Sequence, residues 1–116
     1  MAKVLIMLVR VFGMAAIVLG AMLWSTGHQP YLAPHIGAGF LVAIVVFVLA
    51  VVALTRKAVL PGILGVVFAL LLPVVGFMQF PLVFHELRAI QVVHVMLALL
   101  TIGVAERLFS AIHRAG

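Results

Sequence analysis

The sequence predicts an all-α fold, a four-helix bundle whose helices run up, down, up and down across a membrane. The chain has 116 residues, of which 68% are hydrophobic and 8% are charged, and its mean hydropathy is +1.49. Lipid offers no hydrogen bonds, so a spanning backbone must satisfy its own polar groups in helices or in a closed barrel. The alternating polarity of barrel strands does not occur in this sequence, which leaves helices.

Four apolar stretches are long enough to cross the hydrocarbon core, which takes about 20 helical residues. We expect spans at about 4–24, 34–55, 59–80 and 88–109. Arg56 and Lys57 predict a tight turn that makes the second and third spans antiparallel neighbours. The chain 1–116 is then a single integral membrane domain. No internal repeat is evident in the sequence.

The basic residues predict the orientation of these spans. The formal net charge is +5, and four crossings place the basic positions on one side: Lys3, Arg10, Arg56, Lys57, Arg107 and Arg114. On the opposite side, only Arg88 stands at the edge of a loop. The positive-inside rule therefore predicts that both termini are cytoplasmic, and we expect the inner membrane of a bacterium. The charge indicates contact with the lipid bilayer rather than with nucleic acid.

Two histidines lie within the expected spans, where an ionisable side chain indicates a functional site by default. His35 is near the start of the second span, and His94 is nearly two turns after Arg88. These spans run in the same direction and lie diagonally in the bundle, so the two imidazoles are expected to face each other. On these boundaries His35 lies closer to the membrane surface than His94. For the two rings to meet, the helices must be tilted or the second helix must start earlier. The alternative is a helix–helix hydrogen bond or an interfacial position.

A flat iron porphyrin suits a pair of facing imidazoles, because its iron takes one nitrogen from each side. Gly20 and Gly76 lie at a similar depth in the first and third spans, and we expect them to make room for the edge of the macrocycle. The other glycines are expected mainly to allow close helix packing. Cysteine is absent, which excludes covalent haem attachment, thiolate metal sites and iron–sulfur clusters.

Other polar residues complete the expected site. Gln91, three residues before His94, is a candidate to orient an imidazole. Tyr31 and Arg88 stand at the outer rim, where haem propionates would emerge. For each of the three, an interfacial anchor is a somewhat stronger alternative.

The remaining polar residues are assigned to loops or to helix packing. Thr101 shares the face of His94, and a bond back to its own helix is the simple alternative. His28 is placed in an outer loop and His113 in the inner tail, and His85 is placed in a loop with contact to a substrate or a haem propionate as its alternative. No histidine lies deep in the inner half, so a second haem on the cytoplasmic side has no ligand pair. Arg10 and Glu106 form an ion pair or Arg10 extends to lipid headgroups, and we favour the second.

The full four-span layout, with "PHIGAGF" in the second span and "QVVHVMLALLTIGVAERL" in the fourth, resembles small transmembrane b-type cytochromes. The resemblance implies one noncovalent haem b held by His35 and His94. It also implies electron transfer with quinols, ascorbate or other small donors. Many members of that group hold two haems. A single outer haem suits exchange with a quinone or quinol, or with an external acceptor.

Two other functions remain open from the sequence. A small four-span transporter would use a membrane-embedded carboxylate, but Glu86 and Glu106 both fall near span ends. A cofactor-free accessory subunit would use its small-residue faces to bind the helices of a larger membrane complex. The sequence does not decide between a monomer and a homo-oligomer, or whether the protein is a quinol-linked oxidoreductase.

Overall fold

The computed structural model describes residues 1–79 and 88–115, and in these residues the chain forms four long helices and no strand. The helices are α1 (Ala2–Thr26), α2 (Leu32–Thr55), α3 (Val59–Phe77) and α4 (Arg88–Ala115). Each is long and apolar enough to cross a membrane, which indicates an integral membrane protein. The predicted all-α four-helix fold is confirmed.

The helix ends differ from the expected spans by a few residues. α1 ends at Gly27, whose φ of 65° is the left-handed conformation typical of a helix C-terminus. A short 3₁₀ turn, Gln29–Tyr31, leads directly into α2, which therefore starts before Pro34. α4 continues to Ala115, well past the expected end at 109. The expected end of the third span at Phe80 and the loop histidine His85 lie outside the described residues.

The four helices form a flattened bundle with extents of 45 × 22 × 16 Å. α2 contacts all three other helices, and it meets α4 across the short diagonal. Within the described residues, α1 and α3 do not contact each other. The expected diagonal pairing of the second and fourth helices is therefore present as a direct contact. Below, the end of the bundle that carries Lys3 and Arg56 is called the basic end, and the end that carries His35 and His94 is called the histidine end.

The core is concentrated in the middle and toward the basic end. The six largest fully buried side chains are those of Ile6, Val9, Val46, Leu49, Thr101 and Leu108. Glycines let the helices approach closely there. A Cβ on Gly65 would lie 2.7 Å from the Cβ of Ala50 and 2.8 Å from Cδ1 of Leu108, so the backbone of α3 packs directly on α2 and α4.

Burial along the helices reveals an internal repeat that the sequence analysis did not find. The buried residues of α1 keep the same spacing from Gly20 as those of α3 keep from Gly76. The matching residues are Ile6, Val9 and Gly13 in α1, and Gly62, Gly65 and Ala69 in α3, where Leu72 is buried as well. In the same way, α2 counted from His35 matches α4 counted from His94. The matching buried residues are Val42, Val46, Leu49 and Ala53 in α2, and Thr101, Ala105, Leu108 and Ile112 in α4.

The chain is thus two helical hairpins that point the same way, which we call repeat one (α1–α2) and repeat two (α3–α4). The order of helix contacts follows this repeat: α2 packs on α3, α4 packs on α1 over a smaller interface, and α2 meets α4 between the hairpins. The arrangement corresponds to an approximate two-fold axis along the bundle. Several equivalent positions carry the same residue: Phe12 and Phe68, Gly20 and Gly76, Met22 and Met78, His35 and His94, and Leu49 and Leu108.

Candidate functional site

His35 of α2 and His94 of α4 face each other between the two repeats. Their ring centroids are 6.1 Å apart, and the ring planes meet at 79°. The expected difference in depth is absorbed because α2 begins at Leu32, directly after the 3₁₀ turn. The two histidines occupy equivalent positions of the repeat, so the approximate two-fold axis passes between them.

Each imidazole lies over a glycine of the neighbouring helix. A Cβ on Gly20 would be 2.9 Å from Cε1 of His35, and a Cβ on Gly76 would be 3.1 Å from Cε1 of His94. Both distances are shorter than ordinary van der Waals contact, so a side chain at either position would displace the ring. This is the space that the sequence predicts for the edge of a macrocycle. In the structure it is occupied by the imidazoles themselves.

A backbone hydrogen bond holds the ring of His35. Its Nδ1 lies 2.7 Å from the carbonyl oxygen of Ala16 on α1. Ala16 is one helical turn before Gly20, and the absence of a side chain on Gly20 opens the path from the ring to that carbonyl. A carbonyl only accepts, so Nδ1 carries a proton, and in a neutral imidazole the free lone pair then lies on Nε2. This is the tautomer that binds a metal through Nε2.

The ring of His94 lacks the equivalent bond. Its Nδ1 is buried and has no hydrogen-bond partner within residues 1–79 and 88–115. A buried polar atom without a hydrogen bond lowers the stability of a protein by about 1–3 kcal/mol. The position of this nitrogen therefore calls for an explanation, such as a role in binding. Gln91 is partly buried on the same helix, but its amide does not bond this nitrogen. The expected orienting role of Gln91 is therefore not seen at Nδ1 of His94.

Tyr31 and Arg88 lie at the histidine end, as the sequence analysis expected. Tyr31 ends the 3₁₀ turn, and its ring packs edge-on against that of His28, with centroids 5.0 Å apart. Arg88 is exposed where α4 begins in the described part of the chain. His28 is also exposed, in line with its expected place in a loop.

For Thr101 the structure shows the simple alternative, and for Arg10 the favoured interpretation is wrong. Thr101 is fully buried, and its hydroxyl donates to the carbonyl oxygen of Leu97 on its own helix at 2.6 Å. Arg10 does not extend to headgroups. It forms a bidentate ion pair with Glu106, in which Nε lies 2.7 Å from Oε1 and Nη2 lies 3.0 Å from Oε2. The contact between α1 and α4 brings the carboxylate within reach, and such a fork satisfies both charges locally.

Comparisons of the chain with family models, with curated proteins and with solved structures find no match. The function is therefore inferred from the geometry and chemistry of the site.

Proposed function

We propose that the protein is a membrane haem b protein for electron transfer, with His35 and His94 as the two axial ligands of one iron. The spacing of the two rings is the observation that supports this most directly. A metal–imidazole bond is about 2 Å long, so two rings on opposite sides of one ion have centroids about 6 Å apart. The centroids in the structure are 6.1 Å apart.

The number of ligands favours porphyrin iron over a bare metal ion. Within the described residues, no group of three or more His, Cys, Asp and Glu side chains lies close enough to hold a metal. A bare zinc ion needs three or four protein ligands. A porphyrin supplies four nitrogens of its own and asks the protein for only one or two axial ligands. Two facing imidazoles therefore suit that group better than they suit a zinc ion.

The surroundings of the two rings suit a flat apolar group. One turn from His35 toward the basic end, a Cβ on Gly39 would meet no atom within 4 Å. The equivalent residue one turn from His94 is Ala98, which is also small. On the other side of the rings, toward the histidine end, Tyr31, Arg88 and Gln91 provide polar groups for the propionates.

The residues of the chain hold and orient the cofactor. Ala16 sets the tautomer of His35 through its carbonyl, and the two glycines fix the position of both rings against the bundle. Haem iron with two imidazole ligands supplies reversible one-electron exchange. The basic residues at the other end favour a cytoplasmic position for both termini in a bacterial inner membrane. The haem then lies near the non-cytoplasmic face, where a quinol or a small external redox partner exchanges electrons.

The test is an absorption spectrum of detergent-purified protein from haem-replete cells. We expect a Soret band and the sharp reduced bands of low-spin, six-coordinate haem. His35→Ala or His94→Ala should abolish this spectrum, whereas His28→Ala, at an exposed loop histidine, should leave it unchanged. A colourless protein, or an unchanged spectrum in both ligand variants, would overturn the proposal. Substrate-dependent flux or a co-purifying partner subunit would then identify a transporter or an accessory subunit.

A further inference from the structure

A cavity of about 570 Å³ lies at the basic end, between the start of α1 and the ends of α2 and α4. Lys3, Arg56 and His113 contribute to its lining from these three helices, together with the N-terminal residue Met1. The Arg56 guanidinium also donates to the carbonyl oxygen of Ile112 at 3.4 Å, which anchors it beside the cavity.

The internal repeat shows that this cationic lining is specific to one place. In the other repeat, the positions of Lys3, Arg56 and His113 are occupied by Val59, Ala115 and Leu54. At that equivalent place the turn at Arg56 and Lys57 connects the helices, and Leu54 packs on α3. A Cβ on Gly62 would lie 2.5 Å from Cγ of Leu54. Lys3 and Arg56 thus line the cavity at the start of α1, whereas Leu54 packs against Gly62 at the equivalent place in the other repeat.

The positive charges around the cavity are not balanced by a nearby carboxylate in the described residues. Glu106 is held by Arg10 at 2.7 Å and is not among the lining residues. α1 begins beside the cavity, and no side chain caps its N-terminus. The first backbone N–H groups of a helix have no partners within the helix and favour an anion.

We propose that this cavity binds a phosphate-bearing anion, a chemistry shared by the headgroup of an acidic phospholipid and by free inorganic phosphate. Basic pockets between helices at a membrane surface bind such headgroups through Lys and Arg. Arg56 presents a planar fork of donors to the phosphate oxygens, and Lys3 adds a point charge from another helix. The site is independent of the haem, since it lies at the opposite end of the bundle.

Binding is measured by native mass spectrometry and thermal stability of the full chain in detergent, with phosphatidylglycerol, phosphatidylcholine or inorganic phosphate added. We expect phosphatidylglycerol to bind more tightly than phosphatidylcholine and to raise the unfolding temperature. Arg56→Gln should weaken phosphatidylglycerol binding roughly tenfold, because it removes charge-assisted hydrogen bonds. Lys57→Gln is the matched control, with the same change of charge at the adjacent residue, which does not line the cavity, and it should leave binding unchanged.

Lys3→Gln, on another wall of the cavity, is the second variant and should also weaken binding even if Arg56→Gln fails to fold. A response to inorganic phosphate alone, lost in the same variants, would support the site and identify free phosphate as its ligand. Equal losses in Lys57→Gln and Arg56→Gln, or no preference for phosphatidylglycerol with no response to phosphate, would overturn the proposal.

Discussion

The two repeats share a set of buried positions but differ in charge and in hydrogen bonding. Leu49 and Leu108 are both fully buried at equivalent positions, and each histidine lies over a glycine. Only His35, however, has a hydrogen-bond partner for its Nδ1 within the described residues. The shared buried positions therefore build the bundle and place the two rings. The hydrogen bonding of the two imidazoles depends on residues that differ between the repeats.

The interfaces between the repeats differ in the same way. At the α1–α4 interface, Arg10 and Glu106 form an ion pair, and the equivalent positions at the α3–α2 interface are Val66 and Phe47. A turn in the chain connects α2 to α3, but no segment connects α1 to α4 directly. The ion pair thus lies at the interface that lacks a covalent link, and there it fixes the position of one terminal helix against the other.

The largest expected effect is the loss of stability when a buried leucine is shortened in either repeat. Comparing the two losses tests whether the repeats contribute equally to the core. Leu49→Ala and Leu108→Ala should each lower the free energy of unfolding by about 2–5 kcal/mol, because both side chains are fully buried. Leu70→Ala is the control, since this side chain is 57% exposed. Reversible unfolding in mixed detergent measures the effect. A loss confined to one of the two leucines would contradict the equivalence of the repeats.

The second prediction compares the two glycines beneath the rings. Gly20→Ala should reduce haem affinity by about tenfold to a hundredfold, from a steric cost of about 1–3 kcal/mol. Gly76→Ala should have a smaller effect, because a Cβ there would lie 3.1 Å from Cε1 of His94, whereas a Cβ on Gly20 would lie 2.9 Å from Cε1 of His35.

The controls for this pair are Gly37→Ala and Gly103→Ala, where a Cβ would meet no atom within 4 Å. These two variants should bind haem normally and gain some stability, since alanine favours a helix over glycine. Haem titration of the apoprotein gives the affinities. An effect of Gly37→Ala as large as that of Gly20→Ala would show that close contact with the ring is not the cause.

The third prediction concerns variants in which the α1–α4 interface is given the residues of the α2–α3 interface. Arg10→Val alone should lower the unfolding temperature, because it leaves the Glu106 carboxylate unpaired. The double variant Arg10→Val/Glu106→Phe copies Val66 and Phe47 and should restore the stability. Arg107→Gln is a control that removes an exposed charge on the next residue. If the double variant is less stable than Arg10→Val, the interfaces are not interchangeable.

The smallest expected effect concerns the unpaired nitrogen of His94. The residue equivalent to Ala16 is Leu72, so in the haem-loaded protein we expect His94 Nδ1–H to donate to the Leu72 carbonyl. Such a bond contributes about 0.5–1.5 kcal/mol. Solid-state NMR on protein with ¹⁵N-histidine and ¹³C-carbonyl leucine measures the distance. The absence of this coupling would show that the repeats differ here, where α3 contains Pro73 and α1 has Ile17.

Much of the fold was predictable because the lipid solvent leaves few alternatives. The apolar lengths between Arg56, Lys57 and Arg88 predicted four helices, and residues 1–79 and 88–115 form four long helices. The internal repeat was not predicted, because Val, Leu, Ala and Ile replace one another freely in lipid. In addition, the segment between glycine and histidine is three residues longer in repeat two, so no single offset aligns the whole repeat. The ion pair of Arg10 with Glu106 was not predicted either, since it joins residues from opposite ends of the chain.

By itself, the sequence determined that the chain forms spanning helices and that two of them carry a histidine, because hydropathy and length are local properties. The tertiary structure alone decided that the two rings lie 6.1 Å apart, that each rests on a glycine and that one binds a carbonyl of a neighbouring helix. These properties depend on how the helices are rotated and shifted against one another. Close packing between faces sets that rotation, and an almost uniformly apolar sequence does not specify it locally.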